Sequence, residues 1–177
     1  YDYCEKGLNA SIIHPSGIFG PNDFKPSLFG QEFINIANGK RSYTVNIGYD
    51  YVDVRDLCAT AINCIEKGEP KQNYIVGGNY IDFVGIGKVM SEKLNKQLIK
   101  GTLPFFFVYL SLPSSYLQAL FFNKPRSATL DSIHTVKVQN KLIPSNLAKE
   151  MLDHRPRPVD ETINDTIEFF QERGLIN

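Results

Sequence analysis

Tryptophan does not occur in the 177 residues, and cysteine is scarce, with only Cys4, Cys58 and Cys64. Three thiols without framework spacing cannot build a disulfide scaffold, and Cys58 and Cys64 fall on different faces of one expected helix. The chain therefore reads as a reduced, cytoplasmic protein. Net charge is also lacking, since 19 Lys and Arg balance 19 Asp and Glu. No basic excess points to nucleic acid or to anionic lipid. No signal-peptide pattern opens the sequence, so the sequons at Asn9 and Asn164 are read as chance. His14, His134 and His154 lack metal-ligand spacing. Gly39-Lys40 and Gly87-Lys88 lack the rest of a phosphate loop. The most apolar stretch, Leu103–Phe122, has the length of a membrane span, but Pro104, Pro113, Ser111, Ser114, Ser115 and Gln118 interrupt it. Short helices over a substrate pocket are expected there instead of a membrane segment.

What is present is a stretch from Ile12 to Asp23 that starts as a strand and breaks into a loop. Ile12 and Ile13 continue a buried strand over Asn9–His14. Pro15 ends it, because proline cannot donate to a central ladder. Gly17, Gly20 and Pro21 then punctuate a tight loop. A parallel strand that stops at such a loop is how open α/β sheets build ligand crevices beyond their carboxyl ends. Around it the periodicity predicts a last helical turn over 1–6 stopped at Gly7. Helices follow over 28–38, from 53 to 67 with Asp53 as N-cap, over 81–95, 127–134 and 146–152, and from 159 to 173. Asp56 at the third helical position completes a capping-box-like start. Leu57, Ala61, Cys64 and Ile65 are the expected inner face of that helix. Strands are expected over 42–47 and 74–76. The fold class is α/β, with no repeat or domain linker.

Four blocks in order resemble one family. His14-Pro15-Ser16-Gly17-Ile18-Phe19-Gly20-Pro21 is similar to the Pro-Ser-Gly-(Ile/Val)-(Phe/Tyr)-Gly-Pro block of extended short-chain dehydrogenases. These are the NAD-dependent epimerase/dehydratase group, and the likeness is greatest to its dihydroflavonol-reductase-like branch. Tyr51-Val52-Asp53-Val54-Arg55-Asp56-Leu57, Asn73-Tyr74-Ile75-Val76-Gly77-Gly78 and Arg155-Pro156-Arg157-Pro158 resemble its helix entry, late strand and C-terminal end. The likeness covers nearly all of this chain but only the C-terminal half of the family. It implies the end of a Rossmann-type doubly wound parallel sheet plus a mostly helical substrate-binding region. Residues 1–177 would be a single C-terminal fragment, without the dinucleotide-binding half.

The family's catalytic Tyr-x-x-x-Lys is missing, since none of the nine tyrosines has Lys four residues on. The glycine-rich phosphate loop is missing as well. No catalytic residue is therefore assigned, and this chain alone is expected to be inactive. By resemblance Pro15, Ser16, Gly17 and Ser27 would meet the cofactor, NADP or NAD. The plain alternative is that Pro15 and Gly17 end a strand and Ser27 caps a helix. His14 replaces the Arg or Asn more usual before this block. Phe19, Arg55 and Phe105 are candidates for the substrate side. Arg55 would meet an anion or pair with Asp53 or Asp56, and Phe105 would line a pocket or pack in the core. Arg155 and Arg157 read as ion-paired surface or substrate contacts.

The implied activity is reduction of a small carbonyl or alcohol compound. A nucleotide-sugar epimerase or dehydratase, or a non-catalytic NAD(P)-sensing module, are the alternatives. The partners expected are a small-molecule substrate and, along the open edge of the Asn9–His14 strand, the missing half or a second copy as a homodimer.

Overall fold

The computed structural model describes residues 2–109, 134 and 141–177. Its elements in chain order begin with α1 (Asp2–Glu5), β1 (Ile12–Pro15), β2 (Gly17–Phe19), α2 (Leu28–Ala37) and β3 (Tyr43–Val45). They continue with β4 (Gly48–Asp53), α3 (Val54–Lys67), β5 (Asn73–Val76), β6 (Asn79–Asp82), α4 (Phe83–Leu94) and β7 (Gly101–Leu103). The last two are α5 (Asn146–Met151) and α6 (Val159–Glu172).

Strand β4 is the hub. It pairs parallel with β2, Gly17 opposite Tyr51, and antiparallel with β6. Side chains alternate across a strand, so neighbouring residues of β4 serve different cores. Tyr51 joins Phe19, Phe33, Ile36, Ile86, Ile163, Ile167 and Phe170, the faces of β2, α2, α4 and α6. Val52 joins Tyr74, Val76, Ala148 and Leu152 on the side of α3 and α5. The strands form three small sheets, β1–β5, β2–β4–β6 and β3–β7, parallel except where β4 meets β6, and the helices packed around them are the α/β layering the sequence implied.

β1 pairs parallel with β5, from Ile12 opposite Asn73 to Pro15 opposite Val76. The strand begins later than expected and runs through Pro15. Pro15 is tolerated because the ladder to β5 uses the alternate N–H groups. Ile12 N donates to Gln72 O at 2.9 Å and Ser16 N to Val76 O at 3.0 Å. Nor is the strand buried, since Ile12, His14 and Pro15 are exposed.

Four strands went unanticipated in the sequence: β2, which pairs with β4 where a loop was expected from Gly17, and β4, β6 and β7. Helix α4 starts at Phe83, two residues after the expected Ile81. Asp82 accepts from Gly85 N at 2.7 Å as N-cap, and the residues before it bond to β4. Asp53 is the N-cap of α3, accepting from Arg55 N at 2.8 Å. Asp56 departs from the capping-box reading, because its carboxylate accepts from the Arg157 backbone N–H at 2.8 Å. Of the expected inner face of α3, Leu57 and Cys64 pack against the smaller core beside the buried Asp56 and Thr60, whereas Ile65 is 86% exposed. Most of the Leu103–Phe122 stretch and the expected 127–134 helix, His134 apart, lie outside the described residues. Among the described residues no helix is long and apolar enough to cross a membrane.

Candidate functional site

Ser16 is the crossing point between two sheets. Behind it β1 bonds to β5, and ahead of it β2 bonds to β4. Its backbone N–H is held by Val76 O, but its Oγ is buried and has no hydrogen-bond partner. A buried hydroxyl left unpaired costs about 1–3 kcal/mol, so a group able to bond there would be favoured. Pro15 and Gly17 flank it, both exposed at the carboxyl end of β1. Gly17 has a packing reason of its own. A Cβ there would sit 3.0 Å from both Asp50 O and the Tyr51 ring. Pro15, Ser16 and Gly17 thus stand together at one strand end.

Ser27 lies at a different place, the start of α2. Its Oγ accepts from Gly30 N at 3.0 Å and donates to Asp23 Oδ2 at 3.0 Å. The same carboxylate oxygen accepts from Ser27 N at 2.8 Å. The side chain is a satisfied helix cap. It also stands on the rim of a cavity of about 290 Å3 walled by Phe19, Phe29, Phe33, Val54 and Phe170. Phe19 is a buried part of that wall, with its ring centroid 5.2 Å from Phe29 and 5.4 Å from Phe33. Phe105 does not line this cavity. It is half-buried and meets the Tyr109 ring at 5.9 Å.

Arg55 is committed to carboxylates. Its Nη2 lies 2.7 Å from Asp53 Oδ2, its Nε 3.0 Å from Asp53 Oδ1, and its Nη1 2.6 Å from Asp165 Oδ2. Hydrogen bonds to Asp53, and then to Asp165, hold the guanidinium more firmly protonated than usual despite partial burial. Any anionic substrate would have to displace one of them. Burial pushes the Asp53 carboxyl up. Hydrogen bonds from the Arg55 guanidinium and N–H and from Thr162 outweigh it and leave the group below its ordinary value. Arg157 continues the network to Asp56 at 2.8 Å and Glu161 at 3.1 Å. Arg155 pairs with Asp153 at 2.7 Å on the surface. The arginines of the C-terminal block are therefore ion-paired.

The tyrosines near the site are poor proton carriers. Burial, with the Tyr49 phenol adding to it, pushes Tyr51 far up, and burial also raises Tyr49. Both stay neutral at working pH. His154 was not singled out by the sequence. It is buried, with Nδ1 2.8 Å from Thr60 Oγ1 and Nε2 2.7 Å from Gly77 O. A carbonyl only accepts, so Nε2 carries the proton. The histidine bridges α3 to the end of β5 and is fully occupied. Among the described residues no cluster of His, Cys, Asp and Glu is placed to hold a metal ion.

No family model matches the chain. Sterol demethylase protein B of Methylococcus capsulatus is 27% identical over 174 residues, covering 97% of this chain and 52% of its own length. A candidate dihydroflavonol 4-reductase from Synechocystis is 22% identical over 180 residues, covering 98% of this chain and 51% of its own. The crystal structure of gox2253 superposes with a TM-score of 0.77 at 26% identity, covering 98% of this chain and 52% of that one. This chain has the NAD-dependent epimerase/dehydratase fold. Within that group, a nucleoside-diphosphate-sugar epimerase from Pseudomonas aeruginosa superposes with a TM-score of 0.71 at 18% identity, covering 99% of this chain and 52% of that one. The chain spans about half the length of the curated relatives it matches.

Proposed function

We propose that this chain forms the substrate side of an NAD(P)-dependent reductase of the epimerase/dehydratase group, acting on an apolar carbonyl or alcohol compound. The observation that carries the reading is the strand end at Pro15–Gly17. A buried, unpartnered Ser16 hydroxyl sits there beside an exposed proline and a residue without a side chain. That combination fits the polar edge of a nicotinamide, with Pro15 and Gly17 against the ring and Ser16 Oγ on its amide. When bound, the nicotinamide would supply or take the hydride. This chain's residues bind and orient. None of those described is a proton carrier for the reaction, so the 177 residues alone would be inactive.

Two things favour an apolar substrate. The cavity beside Ser27 has aromatic walls, and both curated relatives carry names of ring compounds, a sterol and a dihydroflavonol. Arg55, matched by two carboxylates, argues against a role for it with an anionic substrate. NADP is the cofactor we favour, on the dihydroflavonol-reductase likeness. The second reading is a nucleotide-sugar epimerase, favoured by the names of neighbours such as the UDP-glucose 4-epimerase of Thermotoga maritima. The test is fluorescence titration, with NADPH and with NADH, of the product of the gene including its native flanking sequence. Binding of NADPH in preference to NADH is expected. Binding of neither would overturn the proposal, and turnover of a UDP-sugar would favour the epimerase.

A further inference from the structure

The cavity of about 290 Å3 beside α2 has aromatic walls, and among the residues that line it Asp23 alone carries a charge. Two features hold that carboxylate in place. Ser27 donates to Asp23 Oδ2 from its backbone N–H, at 2.8 Å, and from its Oγ, at 3.0 Å. A Cβ at Gly30 would collide with the same oxygen, so the bare backbone of Gly30 leaves the carboxylate its seat against the first turn of α2. The partial positive charge of a helix start favours an anion there. Asp23 supplies that anion from within the chain.

The carboxylate is half-buried and has no counter-ion. Among the described residues no Lys or Arg pairs with it, and its Oδ1 has no partner. Arg173 lies instead over the rings of Phe24 and Phe169, 5.0 and 5.6 Å from their centroids. Arg55 is matched by Asp53 and Asp165. The donors that a ligand's anion would need at this helix start are already engaged. Ser27 N and Oγ face Asp23, and Gly30 N donates to Ser27 Oγ at 3.0 Å.

We propose that Asp23 is the specificity-determining residue of this cavity. It admits apolar compounds whose polar end is a hydroxyl, which donates to Asp23 Oδ1. It turns away compounds that end in phosphate, sulfonate or carboxylate. Both halves follow from charge. A hydroxyl gains an ionised acceptor, and such bonds are about twice as strong as neutral ones. An anion meets a like charge in an apolar pocket with no cation to offset it, and unpaired like charge is one way a site rejects a competitor. The inference rests on reading the cavity as the substrate's, and it adds which substrates the cavity takes.

The test compares two dyes that share one aromatic body, neutral phenylnaphthylamine and anionic anilinonaphthalene sulfonate. Each is titrated by fluorescence into the product of the gene with its native flanking sequence. Amide shifts at Gly20 and Gly30 report whether the dye sits in the cavity. Asp23→Asn keeps an oxygen for both Ser27 donors and removes the charge. It should tighten the sulfonate about tenfold and move the neutral dye by less than about threefold. Asp23→Glu, which keeps the charge, should leave the sulfonate weakly bound. Equal effects of Asp23→Asn on the two dyes, or none, overturn the proposal. So does a neutral dye that fails to bind or that shifts only other residues. If Asp23→Asn does not fold, Asp23→Ser is read in the same way. For the hydroxyl, naphthol should bind the wild type about fivefold more tightly than naphthalene, and equal affinity overturns that half. NADPH titration of the same protein is a separate readout. Lost cofactor binding overturns the reductase reading, whereas unchanged dye selectivity overturns this one.

Discussion

At the level of single residues, the polar side chains that matter here are fixed by what they touch. Ser27 caps α2 through Gly30 N, so Ser27→Ala should lower stability by about 1 kcal/mol in a urea titration. Arg157 neutralises Asp56, which is itself nearly buried. Arg157→Ala would strand that carboxylate and should cost about 3–5 kcal/mol. Asp53 has its carboxyl held below the ordinary value in the folded state. A carboxyl depressed on folding contributes stability above its unfolded pKa and loses it as pH falls through the folded one. Acid melts of the wild type should therefore lose Tm from about pH 4 downward, and Asp53→Asn should flatten that part of the profile. Gly78 shows the same economy of space. A Cβ there would collide with the Tyr51 carbonyl, so Gly78→Ala should distort the contact between β4 and the β5–β6 turn.

At the scale of elements, the helices were legible and several strands were not. α2, α3 and α6 announce themselves by 3.6-residue periodicity with Ser27, Asp53 and Gly174 at their ends. β4 shows no clean alternation of apolar and polar residues, because Asp50 and Asp53 lie inside it. Both are buried, Asp50 against Gly78 N and Asp53 against Arg55, and those partners are invisible in a linear sequence. β6 and β7 were hidden by length, at four and three residues. The face of α3 was misread at Ile65 because hydrophobicity alone does not say which neighbour is present. The strand end at Pro15–Gly17 was read from proline and glycine chemistry. The unpartnered state of Ser16 Oγ could not be, since it depends on β5 and β4 together. On α3, Ile62 is exposed, so Ile62→Lys should change the stability of the 177-residue chain by no more than about 0.5 kcal/mol. Phe170→Ala, in the main core, should cost about 3–5 kcal/mol in the same chemical melt.

Taken as a whole molecule, two cores share one strand, and the tail ties them together. α6 closes the larger core with Ile163, Ile167 and Phe170, and Leu152 fills the smaller. Between them, His154 and Arg157 fasten the connecting segment to β5 and α3. Truncation before His154 should therefore abolish cooperative unfolding measured by circular dichroism, where loss of a surface segment would only shift the midpoint.

That dependence on α6 bears on synthesis. While α6 is still inside the ribosome, the aromatic side of α2 can meet Phe19, Tyr51 and Phe83 but lacks Ile163, Ile167 and Phe170, and Asp53 and Asp56 lack Thr162 and Arg157. Until then the larger core stays open on the side that α6 covers, a state that invites chaperone capture. Slow codons placed after α4 would then prolong a vulnerable interval instead of assisting folding.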